Sequence, residues 1–140
     1  MTLRLPTGEV TVLLGEQIVR RRLMAMLDDT SAPARRVTAG PGDGVAERRR
    51  RLEDAGDAAV VLVDRLTDGL DATGRRAVLG ALGGVAARGA AVLVDDVDCV
   101  AALAVADGTL RADPLRGLLL EPAVGSADSV APLEELYRAS

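Results

Sequence analysis

The sequence predicts one α/β domain, a five-stranded parallel sheet with helices on both faces. Two observations carry that prediction. Short aliphatic runs alternate with helical segments five times along the chain, and the strongest runs, VTVLLG (10–15), AAVVLVD (58–64) and AAVLVDD (90–96), show no apolar–polar alternation. Strands without alternation are covered on both faces, as in a parallel sheet between helices. A length of 140 residues with 49% apolar content then suffices for a single core.

The elements follow in order. Residues 1–9 are an N-terminal extension, and residues 10–140 form the domain, opening with the buried strand 10–15. IVRRRLMAMLDD (18–29) is a helix in which Ile18, Val19, Leu23, Met26 and Leu27 recur at helical spacing while Arg20, Arg21 and Arg22 face water. Residues 36–39 suit a short strand. GPGDG (40–44) is turn chemistry, and VAERRRRLEDAG (45–56) is a charged helix stopped by Gly56. After the strand 58–64 a helix runs over 72–88, weakened by Gly80, Gly83 and Gly84. The strand 90–96 leads to a short helix, DCVAALAVA (98–106), and to a last strand, GTLRAD (108–113). Residues 114–129 are punctuated by Pro and Gly and read as an irregular insertion carrying the apolar patch Leu118–Leu120. VAPLEELYRAS (130–140) closes the chain as a helix with Pro132 in its first turn.

Composition excludes several chemistries. All 17 basic residues are arginine, and lysine and histidine do not occur. A catalytic lysine, an imidazole base and a histidine metal ligand are therefore closed to this chain. The arginine clusters at 20–22, 35–36, 48–51 and 75–76 read as solvated faces, because 21 acids outweigh them and leave a net charge of −4. That balance argues against direct nucleic-acid contact. The single cysteine, Cys99, cannot form an internal disulfide and fits a reducing compartment. No apolar run is long enough to span a membrane, and the N-terminus lacks a signal-peptide pattern, so the expectation is a cytoplasmic protein.

Right-handed crossovers gather the C-terminal ends of parallel strands on one edge, where α/β sheets hold their sites. That edge is predicted to carry Gly15, Glu16, Asp64, Asp95 and Asp96. Two families share features with these residues. VVLVDRLTDGLD (60–71) resembles the second nucleotide motif of the ATP-binding cassette fold and the loop after it. The resemblance puts Asp64 on the metal-ligand position and Asp71 in the loop. It covers about a third of the chain. After the first strand the chain offers GEQIVRRR, with one glycine and no lysine, where a phosphate loop needs both. Arg65 replaces the carboxylate that should follow Asp64, and the family's long helical insertion is missing.

A second resemblance runs from about Val10 to Ser140. VTVLLGEQIVRRRLMAMLDD, AGPGDG, AAVVLVDRLTDGLD, AVLVDD, ADGTLRAD and APLEELYRAS, in that order, resemble the receiver domain of two-component response regulators. The branch is the one that usually carries a helix-turn-helix output domain. This likeness implies a flavodoxin-like fold with Asp64 at the phosphoacceptor position. Receivers bind Mg²⁺ through an acid pair and clamp the phosphoryl oxygens with a lysine and a hydroxyl. Here the acid pair is reduced to Gly15 and Glu16, the hydroxyl position falls on Asp95, and the lysine position falls near Arg111 or Ala112. Two anions about 4 Å apart repel by about 4 kcal/mol at an effective dielectric near 20, and a phosphoryl group would sit beside Asp95 without its usual cations.

The expectation is therefore a degenerate pseudo-receiver that is not an enzyme. It would act in signal transduction or transcription regulation through protein contact or dimerisation rather than through phosphorylation. The alternatives are a working phosphoacceptor at Asp64 and a degenerate nucleotide-binding fold. Glu16, Asp64 and Asp95 form the reduced acidic pocket, within which Glu16 and Asp64 leave room for a weak Mg²⁺ site; no other cofactor is expected. The resemblance implies a dimer face of Val100, Leu103, Leu136 and Tyr137, with Leu110 and Leu133 read as core. A core rich in Ala and Gly is compatible with a small-molecule ligand. The chain is expected to be a stand-alone receiver or the regulatory part of a longer regulator.

Overall fold

A computed structural model of the protein describes residues 4–30, 34–113 and 117–122. In chain order its elements are β1 (Val10–Leu14), α1 (Gln17–Thr30), β2 (Ala34–Val37), α2 (Val45–Asp54), β3 (Val60–Asp64), α3 (Ala72–Leu79), α4 (Leu82–Ala87), β4 (Ala91–Asp95), α5 (Cys99–Leu103), β5 (Gly108–Asp113) and β6 (Gly117–Pro122). One sheet holds all of these strands in the order β2-β3-β4-β1-β5-β6. The first five run parallel, while β6 returns antiparallel along β5.

Two expectations are corrected here. The sheet has six strands rather than five, because the Pro/Gly-punctuated stretch expected to be irregular contains β6, which pairs Leu120 with Leu110 and Leu118 with Ala112. The order also differs from the flavodoxin-like 2-1-3-4-5. β1 lies between β4 and β5, not between β2 and β3. Hydrogen bonds at the strand starts join these neighbours. The Asp107 carboxylate accepts the Val10 N–H at 2.8 Å while Asp107 N–H donates to Val10 O at 2.8 Å, which ties β5 to β1. Gly8 N–H donates to Ala90 O and Val92 N–H to Glu9 O, which ties β4 to the other side of β1.

The aliphatic runs are buried on both sheet faces, as their lack of alternation requires. On one face, Val10, Val12, Val61, Val63, Val92 and Val94 pack under α2, α3, α4 and α5 through Leu52, Leu79, Leu82 and Ala102. On the other, Leu13, Leu62, Leu93 and Leu110 meet Leu23, Met24 and Leu27 of α1. This corrects the face assigned to the first helix. Its buried stripe is Leu23, Met24 and Leu27, whereas Ile18 and Met26 are 60% and 46% exposed. The helix expected over 72–88 is divided at Gly80 and Ala81 into α3 and α4, where the glycines lower helix propensity. Among the described residues, no helix is long and apolar enough to cross a membrane.

Candidate functional site

Strand order decides where a site can form. From β1 the chain crosses to the far edge at β2 and steps back through β3 to β4. It then passes over β1 to reach β5. The connections therefore diverge at the β1–β4 pair, and α/β sheets hold ligands outside the strand ends at such a point. There Gly15, with φ 130, ends β1, and α1 begins at Gln17. A Cβ on Gly15 would lie 3.4 Å from Ala112 O, so the turn is close to the neighbouring strand as well as left-handed.

The acids sit at this edge on two different faces. Asp64 and Asp95 are register partners on β3 and β4, following Leu62 and Leu93 on the α1 face. Both are buried, at 4% and 2% exposure. Arg36 on β2, in register with Leu62, donates from Nε to Asp64 Oδ2 at 2.9 Å, and its Nη2 reaches the same oxygen. Arg65 donates from Nε to Asp64 Oδ1 at 3.1 Å. Arg20 on α1 pairs through Nη1 with Asp95 Oδ1 and holds Gly15 O with its Nε at 3.0 Å. Burial pushes the Asp95 carboxyl above its ordinary range; Arg20 pulls it back and the neighbouring Asp64 adds to the rise.

On the opposite face, the Asp96 carboxylate is held by a hydroxyl and a backbone N–H, while Arg20 Nη1 reaches only the Asp96 carbonyl, at 3.4 Å. Thr67 donates its hydroxyl to Asp96, 3.0 Å from Oδ1 and 2.7 Å from Oδ2, and the Asp98 N–H reaches Oδ1 at 2.9 Å. Arg75 on α3 donates to Thr67 Oγ1 at 3.2 Å and lies 3.6 Å from Asp98 Oδ2. The loop after β3 is fixed from beneath by Arg48 of α2, itself only 4% exposed, which donates to Leu66 O at 3.0 Å and Asp68 O at 2.6 Å. Arg65 in that loop has φ 52, the one left-handed non-glycine among the described residues, and its N–H donates to Asp95 O at 2.8 Å. Among the described residues no buried side-chain nitrogen or oxygen lacks a partner.

The predicted site residues are thus partly assembled. Asp64 and Asp95 are adjacent, Asp96 faces away from them, and the Glu16 side chain is exposed next to α1. Among the described residues no group of three His, Cys, Asp or Glu side chains is arranged to hold a metal. Asp71 caps α3 by accepting the Gly74 N–H at 2.7 Å. On the expected dimer face, Val100 is 74% exposed and Leu103 packs partly into the core, while Leu110 is fully buried. Leu133, Leu136 and Tyr137 lie outside the described residues.

The residues that the sequence reading missed are the arginines. At least one member of each cluster, among them Arg20, Arg36, Arg48 and Arg75, bonds the edge or its loops, which corrects their assignment to solvated faces, although the Arg36 side chain stays 39% exposed. A signal was present for Arg20. The stripe Leu23, Met24 and Leu27 continues backward by three and four residues to Arg20, so the helix that buries those three aims Arg20 at the sheet. Chemically, the edge neutralises its own carboxylates. It leaves an open cleft of about 240 Å³ lined by Gln17, Arg20, Arg65, Asp95 and Val97 among others.

No family model matches the sequence, and no curated protein is significantly similar to it. Solved structures do resemble it. The ATP-binding subunit of an ABC transporter is similar at 13% identity with a TM-score of 0.56, over 98% of this chain and 90% of that one. A chain from the crystallised complex of the archaeal ribosomal stalk protein with the archaeal ribosome recycling factor is similar at 13% identity and a TM-score of 0.54. That match covers 96% of this chain and 43% of the other. At such identity the likeness is one of fold.

Proposed function

We propose that this chain is a non-catalytic module built on a nucleotide-binding fold, acting by contact with another protein. The observation that carries the reading is the state of Asp64. Both of its oxygens accept hydrogen bonds from guanidinium groups, Oδ2 from Arg36 and Oδ1 from Arg65. In the ATP-binding cassette reading this is the metal-ligand position, and a divalent cation would have to displace two fixed positive charges to reach it. The segment between β1 and α1 is reduced to Gly15 and Glu16, too short to wrap a phosphate with successive N–H groups. Solved structures of ATP-binding subunits support the fold half of this reading. Protein contact is supported by Val97 on the cleft rim and by Ile18 beside the cleft residue Gln17, which are 63% and 60% exposed.

A pseudo-receiver would share a silent Asp64, and the order of sequence motifs favours it; the strand order favours the nucleotide-binding fold. One pair of measurements tests both. The folded protein is titrated with a fluorescent ATP analogue and Mg²⁺, and separately incubated with acetyl phosphate and Mg²⁺ before intact-mass analysis. Neither saturable nucleotide binding nor a phosphoryl adduct is expected. Micromolar nucleotide binding would overturn the non-catalytic reading. An adduct present on the wild type and absent from Asp64→Ala would establish a working phosphoacceptor.

A further inference from the structure

The two sheet faces are covered unequally. Four helices, α2 to α5, pack on one face, whereas among the described residues α1 alone packs on the other. It lies toward β2 and β3. Between α1 and the β5–β6 hairpin runs an apolar groove of about 250 Å³, lined by Val19, Leu23, Met26, Ala112 and Leu118, with Arg22 on its rim. Leu120, on the same side of β6 as Leu118 and 38% exposed, extends this surface along the strand.

We infer that the groove receives the chain's own C-terminal segment, residues 130–140, as an amphipathic helix docked in cis. Three features point to this occupant. The chain continues for 18 residues after Pro122, the last residue of the strand that forms one wall of the groove. Residues 123–129 can span roughly 23 Å when extended, and a helix over 130–140 is about 16 Å long, close to the length of β6 itself. The segment VAPLEELYRAS sets Leu133, Leu136 and Tyr137 at i, i+3 and i+4, one helical stripe, with Glu134 on its flank to meet Arg22.

Tyr137 makes this testable, because the chain has one tyrosine and neither tryptophan nor phenylalanine. Acrylamide quenching of tyrosine emission in the full chain reports that residue alone. Docking predicts a quenching constant several-fold below that of a free tyrosine amide, independent of protein concentration. Val19→Glu, at a site already 40% exposed, should raise it to the free value while circular dichroism keeps the sheet signal. Arg22→Glu, which leaves the apolar wall intact, should raise it part of the way. A Tyr137 as quenchable as the free amide in the wild type would overturn the inference. So would shielding that vanishes on dilution, which would give the groove to a second copy, or shielding indifferent to both variants.

Discussion

Removing Arg20 should turn the sheet edge against the fold. Asp95 is 2% exposed and Arg20 17%, so Arg20→Ala strands a carboxylate that water barely reaches and leaves it beside Asp64. Breaking a buried pair by deleting one partner costs about 3–5 kcal/mol. The partial exposure of Arg20 places this case at the low end, about 3 kcal/mol near neutral pH. For a chain of 140 residues the unfolding entropy is roughly 0.3 kcal/mol/K, so the melting temperature should fall by about 10 °C.

The pH dependence gives a sharper test than the size of the loss. Asp95 is already held above the ordinary carboxylate range, chiefly by burial, with Arg20 opposing and Asp64 reinforcing. A raised folded pKa means that the folded chain holds the proton more tightly than the unfolded one. The stability tied to that proton is therefore full below the ordinary carboxylate value and is lost as pH rises through the folded value. Deleting Arg20 lifts the folded value further. The gap between wild type and Arg20→Ala should thus be small in acid, where Asp95 is protonated in both, and should widen toward neutrality. Chemical denaturation at a series of pH values measures it. Adding Asp95→Asn to Arg20→Ala should recover most of the loss. A gap under 1 kcal/mol at neutral pH, or one of equal size across the series, would refute the burial argument.

Other substitutions probe the remaining supports. Thr67→Val removes the hydroxyl shared between the two Asp96 oxygens, while the Asp98 N–H still reaches Oδ1, and should cost about 1–3 kcal/mol in urea denaturation. Leu93→Ala empties a fully buried position between the sheet and α1 and should lower stability by about 2–5 kcal/mol in the same assay. Asp71→Ala loses the cap on Gly74 N–H and should cost about 1 kcal/mol, read as a fall in thermal midpoint with the fold retained. Gly15→Ala puts a Cβ on a backbone at φ 130, which side-chain-bearing residues rarely adopt, and should cost about 1–3 kcal/mol in the same assay.

The strands were legible because burial on both faces writes itself into composition. VVLV of β3 and AVLV of β4 have no polar position to mark a face, and both are buried throughout or nearly so. That same uniformity hid the strand order. Parallel aliphatic strands are interchangeable as neighbours, and the side-chain bond that ties β5 to β1 comes from a residue outside both, Asp107 at the foot of β5. β6 was hidden for a different reason. GLLLEP carries a glycine and a proline at its ends, which read as breakers, yet both sit at terminal register positions, where a strand tolerates them. The break between α3 and α4 was foreshadowed by Gly80, Gly83 and Gly84, of which Gly80 sits at the break itself.

At the edge, the acids were legible, as was Arg65 beside Asp64, whereas the partners drawn from the arginine clusters were not. A carboxylate at the end of an apolar strand announces itself, whereas an arginine within a run such as RRR or RRRR looks like a solvated face whichever member turns inward. Helix phase separates them. Arg20 shares the stripe of Leu23, Met24 and Leu27, and Arg48 lies four residues before Leu52, which is fully buried. Arginine also suits the task better than lysine. Its planar, weakly hydrated guanidinium remains charged when buried and presents several N–H groups in a fixed fork. Arg20 uses that fork to hold Asp95 and the Gly15 carbonyl together, and Arg48 uses it to hold two loops. A lysine ammonium could not bridge such separated acceptors from one position. At this edge, strand-end carboxylates and inward arginines therefore form one arrangement that ties the ends of β3 and β4 to α1, to β2 and to the turn after β1.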